Sequence, residues 1–467
     1  MARPSITPTN YERPFDLGEL FFSTTDPKGI ILSGNRVFAR VSAYEEDELL
    51  GQPHNMIRHP DMPRVVFKMF WEYLEAGRPI AAYVKNMAKD GGYYWVLATA
   101  TPVGNRYLSV RMKPSADLLP TVEALYASLV KTERAIESRG GTPRDAMEAS
   151  GAQLAKSLVQ LGFQDYDAFM HHALPTEIAS RREQLSARQA ATRTPATPGP
   201  ARTLPGANSD VAEAAAGLNA FLDRQFAGLA SYVRLSEAFA EKSDFILDLA
   251  DEVRLFALNA QVGAARLQEV GAALGVIAGT MHDRSDETTA SIRAMSEDIR
   301  ASSAILSDLS FEISMATIQS EVAVQFIEEL REEAHSDSVA VNIATLSGCL
   351  RQGVGPLLAS LADLDVRLDS VARHSDTLSS VLQQLEVLQM SGRIETARLS
   401  DDSVFRGLFE EISTQVARAR AELASFDIVQ VVRRERRQMP PPDALARYLD
   451  QIDAWQASSA VPSLAAA

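Results

Sequence analysis

The chain has 467 residues, which is too long for a single hydrophobic core, so two or three domains are expected. Its formal net charge of −15 at pH 7 argues against binding to nucleic acid or to an anionic membrane, because both require a basic surface. The single cysteine excludes an internal disulfide and a cysteine-based metal cluster, and no apolar run reaches the roughly 20 residues of a membrane-spanning helix. These features predict a cytoplasmic protein with no transmembrane segment.

The first region, residues 12–115, changes character every few residues, as a small α+β domain does. Its apolar runs and turn residues predict a strand pair, short helices, a connecting helix and then a three-stranded meander. The connecting helix is predicted from about Pro63 to Glu75, with Gly77 as its C-cap. The strands are predicted at residues 19–24, 30–32, 81–85, 93–101 and 107–113. This order of elements is typical of the PAS fold.

The sequence after this domain is predicted to be helical, with one interruption. Residues 116–187 read as a helical connector, and residues 188–208, rich in Pro, Thr and Ala, read as a flexible linker. From 209 to 431 apolar residues recur at spacings of three and four, which predicts a mainly α region of long helical hairpins or a coiled-coil bundle. Residues 432–467 form a basic, proline-containing tail with a short helix.

The most specific motif is PHNMIRHPDMP at residues 53–63, followed by YWV at 94–96 and SVR at 109–111. Together these strings resemble the PAS domain of aerotaxis receptors. The resemblance implies a non-covalent FAD whose redox state reports respiratory electron flow. Such a dinucleotide requires positive and hydrogen-bonding groups together with aromatic walls. The candidate cofactor-binding residues are Asn55, Arg58, His59, Asp61, Trp71 and Asn86.

Other interpretations of this motif remain open. Ile80 stands where the family usually has a tryptophan, which would remove one stacking wall for a flavin. Haem is the alternative cofactor, with His54 and His59 as candidate ligands. A PAS domain without cofactor is the third possibility, in which Arg58 and Asp61 form a local ion pair and Trp71 belongs to the core.

A second motif, LFALNAQVGAAR at residues 255–266, resembles the hairpin tip of methyl-accepting chemotaxis proteins. The resemblance implies that the tip binds a chemotaxis coupling protein and a histidine kinase. Gly263 replaces the glutamate of the family at this tip, and the alternative is that these residues are simply the core of a helical hairpin. The residues that keep the implied contacts are Leu255, Leu258, Asn259, Arg266 and Val276.

The helical region also contains an internal echo at an offset of 132 residues, where Ala265 and Arg266 align with Ala397 and Arg398. We therefore hypothesise two tandem hairpins, at about 209–335 and 340–430. They would form either a pseudo-dimeric bundle within one chain or half of a homodimer. The alternative is that any two coiled-coil segments share a seam with the same spacing.

The combined pattern predicts a cytoplasmic redox or oxygen (energy) sensor in bacterial signal transduction. In this hypothesis the PAS cofactor state is transmitted to a helical output that resembles chemotaxis receptors. The alternative is a haem-binding or cofactor-free scaffold for protein–protein interaction without chemotaxis kinase control. Because the sequence has no phosphate-binding glycine loop and no clustered metal ligands, it predicts that the protein is not an enzyme.

Overall fold

The computed structural model describes residues 6–192, 208–266, 271–330, 337–398, 403–424 and 443–459, with a few more between 431 and 437. The chain divides into two compact units. Unit 1 comprises Met1–Phe226, Ser307–Leu358 and Pro440–Ala467, and unit 2 comprises Ala227–Leu306 and Ala359–Met439. Each unit therefore combines segments that are distant in sequence.

The N-terminal part of unit 1 is built on a five-stranded antiparallel sheet with the strand order β2-β1-β5-β4-β3. The strands are β1 (Leu20–Thr25), β2 (Ile31–Gly34), β3 (Ile80–Met87), β4 (Tyr93–Val103) and β5 (Arg106–Met112). The three long strands run consecutively through tight connections, so the predicted meander is confirmed. The sheet places β1 and β5 side by side at its centre.

Helices fill the connections of this sheet and continue after it. They are α1 (Arg36–Ser42), α2 (Glu46–Leu49), a 3-10 turn (His54–Ile57), α3 (Arg64–Glu75), α4 (Leu119–Glu137), α5 (Pro143–Gln160) and α6 (Tyr166–Thr192). The predicted α+β class of the first domain is confirmed. Helix α6 continues to Thr192, into the segment predicted as linker, and residues 193–207 lie outside the described part of the chain.

The rest of the described chain is helical, which confirms the predicted mainly α region. Its helices are α7 (Asn208–Arg266), α8 (Ala272–Leu330), α9 (Asp337–Arg398), α10 (Ser403–Ala424) and α11 (Asp443–Ser459). Helices α7, α8 and α9 have 59, 59 and 62 residues, which is the length expected of long helices in a bundle. Among the described residues, no helix combines the length and apolar character needed to cross a membrane.

Helix α6 covers one face of the sheet and is anchored there by a buried carboxylate. Glu177 accepts hydrogen bonds from the hydroxyl of Tyr83 at 2.7 Å and from the backbone N–H groups of Ser115 and Ala116 at 2.6 and 2.8 Å. The Glu177 side chain has no exposed area. A buried carboxylate costs several kcal/mol of desolvation unless its lone pairs are satisfied, so these donors hold α6 in one position on the sheet.

The same face is covered further by the part of α8 that belongs to unit 1. The ring of Phe22 in β1 packs edge-on against Phe326, with 5.0 Å between centroids. Gln325 donates to the carbonyl of Gly18 at 3.1 Å and accepts from the N–H of Leu20 at 3.3 Å. Because these partners lie some 300 residues apart in sequence, local patterns do not predict their contact.

The opposite face of the sheet carries α3, whose N-terminus has no cap from its own sequence, since the N-cap residue is Pro63. Glu133 of α4 supplies the cap and accepts the N–H groups of Arg64 and Val65 at 2.8 and 3.1 Å. The hydroxyl of Ser150 in α5 donates to the same carboxylate at 2.9 Å. Helices outside the PAS-like core thus fix the start of α3.

Replacing Glu177 with alanine is expected to destabilise unit 1 strongly, because it leaves the buried Tyr83 hydroxyl and two N–H groups without their acceptor. The expected loss is roughly 3 kcal/mol. Urea unfolding followed by tryptophan fluorescence measures it. The matched control is Glu183→Ala on the exposed side of α6, and equal unfolding midpoints for both variants would contradict this account.

Candidate functional site

A cavity of about 90 Å³ lies between α3 and the face of the sheet opposite α6. Its apolar wall consists of aromatic and aliphatic side chains from α3 and the strands: Phe67, Phe70, Trp71, Leu74, Val84 and Tyr107. Its polar groups come mainly from the sheet and from the 3-10 turn: Ser23, His54, Asn55, Arg58, Asn86, Ser109 and Arg111. An apolar chamber with a few convergent polar groups is the usual form of a small-molecule site.

The cavity contains a buried positive charge. Arg111 in β5 is 3% exposed, donates to the hydroxyl of Ser23 at 3.0 Å and contacts the Nε2 atom of His54 at 2.5 Å. No carboxylate of the described residues lies within ion-pair distance of its guanidinium. Burial lowers the pKa of Arg111 to about 10, so the group is still charged at neutral pH. A buried charge without a counter-ion is costly, and such a charge is typical of a site for an electron-rich ligand.

His54 is fixed in one protonation state by this arginine. A guanidinium only donates hydrogen bonds, so the Nε2 atom of His54 must be the acceptor and carry the lone pair. Burial and the charge of Arg111 lower the pKa of His54 well below its ordinary value, so the ring is neutral at pH 7. The imidazole is also stacked on Phe38, with 6.0 Å between centroids.

Two further polar groups of the cavity have no partner within the described protein. They are the amide nitrogen of Asn86 in β3 and the hydroxyl of Ser109 in β5, and both residues are buried. An unsatisfied buried polar group costs about 1–3 kcal/mol, so these atoms fit a ligand that offers hydrogen-bonding groups along one edge.

The predicted residues Arg58 and Trp71 both line the cavity and are held by local contacts. The guanidinium of Arg58 lies 4.5 Å from the centroid of the Phe67 ring and donates to the carbonyl of Met62 at 2.9 Å. Trp71 lies so close to Gly29 that a Cβ atom there would approach the indole to 2.9 Å. Gly29 also has a φ of +79°, so both its space and its conformation require glycine.

His59 and Asp61, which were also predicted, are not among the lining residues of the cavity. The side chain of Asp61 is 53% exposed and pairs with Arg134 at 3.2 Å and Lys85 at 3.5 Å. His59 is buried nearby, and its Nδ1 atom accepts the N–H of Asp61 at 3.1 Å. The structure thus brings Asn55, Arg58, Trp71 and Asn86 to the cavity.

The sequence interpretation did not select Arg111, Ser109 or Ser23 as site residues. Arg111 carries the clearest signal of the three, because it is the one charged residue within the apolar run Leu108–Met112. A lone charge in a buried strand requires a partner and is therefore a candidate binding group. Ser109 and Ser23 have no such signal, since small hydroxyl residues are common in strands.

The predicted signalling-tip residues lie on the last turns of α7 and the first turns of α8. Helix α7 ends at Arg266 and α8 begins at Ala272, and residues 267–270 lie outside the described part of the chain. All five predicted residues are exposed on the helix surface: Leu255, Leu258, Asn259, Arg266 and Val276. Four of their neighbours are buried instead, namely Ala257, Ala260, Ala264 and Leu274.

Comparison with protein families identifies the fold of the first domain. The family model described as "PAS fold" matches residues 31–111, which span β2 to β5 and enclose the cavity-lining α3. This chain carries a PAS domain near its N-terminus. The match does not extend to the helices beyond it.

Curated relatives match the same part of the chain. The aerotaxis receptor of Escherichia coli (strain K12) is 39% identical over 133 residues, which is 27% of this chain and 26% of that protein. A nitrogen fixation regulatory protein of Klebsiella pneumoniae is 32% identical over 83 residues, 18% of this chain and 17% of the relative. The biofilm dispersion protein BdlA of Pseudomonas aeruginosa is 32% identical over 79 residues, 17% and 19% respectively. The chain therefore matches about a quarter or less of each relative's length.

Solved structures also resemble the PAS domain. One is from work titled "Flavin Analogue Sheds Light on Light-Oxygen-Voltage Domain Mechanism", with 22% identity, a TM-score of 0.21, and coverage of 22% of this chain and 84% of that one. Another is the light state of the blue-light photoreceptor Aureochrome1 LOV, with 26% identity, a TM-score of 0.20, and coverage of 25% and 91%.

The state of His54 predicts how the stability of the PAS domain depends on pH. In the unfolded chain His54 has the ordinary histidine pKa of 6.5 and gains a proton as the pH falls below that value. In the folded protein its pKa is lowered well below 6.5, so the ring stays neutral at lower pH. The histidine therefore contributes stability above pH 6.5 that is lost as the pH falls.

Replacing His54 with glutamine keeps an acceptor for Arg111 and removes the titration. Between pH 7.5 and 5.5 the variant should lose about 1 kcal/mol less stability than the unchanged protein. Urea unfolding at both pH values measures this difference, with His172→Gln, on the exposed surface of α6, as control. Parallel pH profiles for wild type and His54→Gln would contradict the assignment.

Proposed function

We propose that this protein is a redox or oxygen (energy) sensor in bacterial signal transduction, in which the PAS cavity binds FAD and passes its state to the helical region. The observation that carries the proposal is the buried guanidinium of Arg111, which faces the cavity without a carboxylate partner among the described residues. The similarity of the PAS domain to the aerotaxis receptor of Escherichia coli supports the same function.

The polar groups of the cavity suit the edge of a flavin ring, which offers carbonyl oxygens, ring nitrogens and an N–H. Arg111 would donate to an acceptor on this edge, and Asn86 and Ser109 would gain the partners that the protein does not give them. When bound, the flavin supplies reversible reduction, which adds electron density to the same edge. The fixed charge of Arg111 would stabilise that density and so raise the affinity for the reduced form.

Binding of a flavin is expected to require movement of α3. The cavity of about 90 Å³ is smaller than the ~300 Å³ at the lower end of typical ligand sites. Phe67, Phe70 and Trp71 are the large α3 side chains of the wall, and all three are partly exposed, so these are the side chains that have to move. Entry of the ring would therefore press on the helix whose N-terminus is capped by Glu133.

Haem is less well supported than flavin. Ligation by His54 requires the lone pair on a ring nitrogen, and its Nε2 lone pair is engaged by Arg111. His59 is not in the cavity lining, and its Nδ1 atom accepts a backbone hydrogen bond. A cofactor-free scaffold would leave the buried charge of Arg111 without an anionic partner among the described residues, so it is the second alternative.

For the output, we propose binding of a chemotaxis coupling protein and histidine kinase at the tip of the α7–α8 hairpin. The support is the exposure of the aliphatic tip residues Leu255, Leu258 and Val276, which are 48–70% exposed. Contiguous exposed apolar residues on a folded protein commonly mark interaction surfaces. In this proposal the protein relays a signal and performs no catalysis of its own.

The cofactor proposal predicts that Arg111→Met weakens FAD binding at least tenfold and Asn86→Leu several-fold, because a charged donor contributes about 1.5–3 kcal/mol and a neutral donor about 0.5–1.5 kcal/mol. The absorption spectrum of the purified full chain and a fluorescence titration with FAD measure this. Arg106→Met, on the same strand but outside the cavity lining, is the matched control and should bind as the wild type does. Failure of the wild type to bind FAD, or a Soret band in its spectrum, would overturn the proposal.

A further inference from the structure

Unit 2 contains two helical segments with the same order of buried and exposed residues. Residues 250–266 of α7 and 382–398 of α9 are related by the offset of 132 residues. Every buried residue of the first segment corresponds to a buried residue of the second: Ala250 to Leu382, Val253 to Leu385, Ala257 to Gln389, Ala260 to Gly392 and Ala264 to Thr396. The corresponding side chains are of different types, so the two segments share a pattern of burial but little sequence identity.

The exposed apolar residues repeat at the same offset. On α7, Leu255, Leu258 and Val262 are 48–58% exposed. On α9 the corresponding residues are Val387, Met390 and Ile394, which are 53–64% exposed. A spacing of three and four residues places each set on one helix face. Single exposed aliphatic residues are common on protein surfaces, but two matching rows at equivalent positions indicate that both bind the same kind of partner.

Each row ends in an arginine one helical turn further on, and both arginines are exposed. The α7 row is followed by Arg266 and the α9 row by Arg398, which also pairs with Glu395 at 2.8 Å. We define the α7 stripe as Leu255, Leu258, Val262 and Arg266, and the α9 stripe as Val387, Met390, Ile394 and Arg398. Both stripes therefore offer three aliphatic side chains and then a positive charge, in the same direction along the helix.

We propose that the α9 stripe is a second partner-binding surface equivalent to the α7 stripe, so that one chain binds two copies of the same partner protein. The matching partner surface is an aliphatic groove with a carboxylate at one end, which complements the arginine of each stripe. This inference rests on the proposed output function, and it extends that function to residues outside the predicted tip.

The binding stoichiometry tests the inference, with the full chain and the purified chemotaxis coupling protein of the same organism as the probe. Isothermal titration should give two coupling proteins per chain. Leu258→Glu with Val262→Glu removes the α7 stripe, and Met390→Glu with Ile394→Glu removes the α9 stripe. Each pair should reduce the stoichiometry to one, and the four changes together should abolish binding. Val366→Glu, at an exposed α9 residue outside the stripe, should leave it at two.

The outcomes separate the inference from the function on which it rests. One coupling protein per chain, unaffected by the α9 changes, would overturn the second surface and leave the α7 tip intact. No binding by the unchanged chain would overturn the output function and the inference with it. Self-association of the chain in sedimentation, lost in either stripe variant, would show that a second copy of this chain occupies the stripes and would also overturn the proposal.

Discussion

The organisation of unit 1 depends on the two-sidedness of strand β1. Successive side chains of a strand point to opposite faces of the sheet. Phe21 accordingly packs on Phe38 and lies near Arg111 on the cavity side, while Phe22 packs on Phe326 of α8 on the other side. A single strand of six residues therefore contacts both the cavity and the helical region. Strand β1 therefore joins the cavity to α8 by direct contacts, without an intervening loop.

Buried charges fix the layers on both sides of this strand. Arg181 of α6, itself buried, pairs with Glu321 of α8 at 2.6 Å and donates to the carbonyl of Leu17 at 2.9 Å, just before β1. Glu177 ties the same helix to β3, and Glu133 caps α3 from α4. Buried ionic groups tolerate few alternative arrangements, because a displaced partner leaves an uncompensated charge.

The sequence predicted much of the fold because the relevant signals are local. Alternating apolar residues and turn residues located the strands, and the three–four spacing located the long helices. The sequence did not predict that residues 307–358 return to the PAS domain, since the contact of Phe22 with Phe326 leaves no local trace in either segment. The sequence also did not predict that α6 continues to Thr192, past the start of the predicted linker. The prolines that indicate a linker lie at residues 195–205, so they do not locate the end of the helix before them.

The site was predicted in part for a similar reason. Arg58 stands in the motif at residues 53–63 and Trp71 offers an aromatic wall, so both were predicted as site residues, and both line the cavity. Arg111 belongs to the SVR string of β5, which the sequence analysis used only for the family resemblance. Its burial follows from the packing of His54 and Ser23 around it, and distant contacts of this kind are not visible in the sequence. Asp61 belongs to the same motif as Arg58, but its side chain turns to the surface, where Arg134 of a later helix pairs with it.

Hydrogen–deuterium exchange on the full chain tests most directly whether the cavity and the helical region communicate through β1. Exchange is compared between FAD-loaded protein in the oxidised form and after reduction. We expect altered protection in β1 together with the α8 segment Phe311–Phe326. Altered protection confined to α3 and the 3-10 turn, with β1 and α8 unchanged, would contradict it.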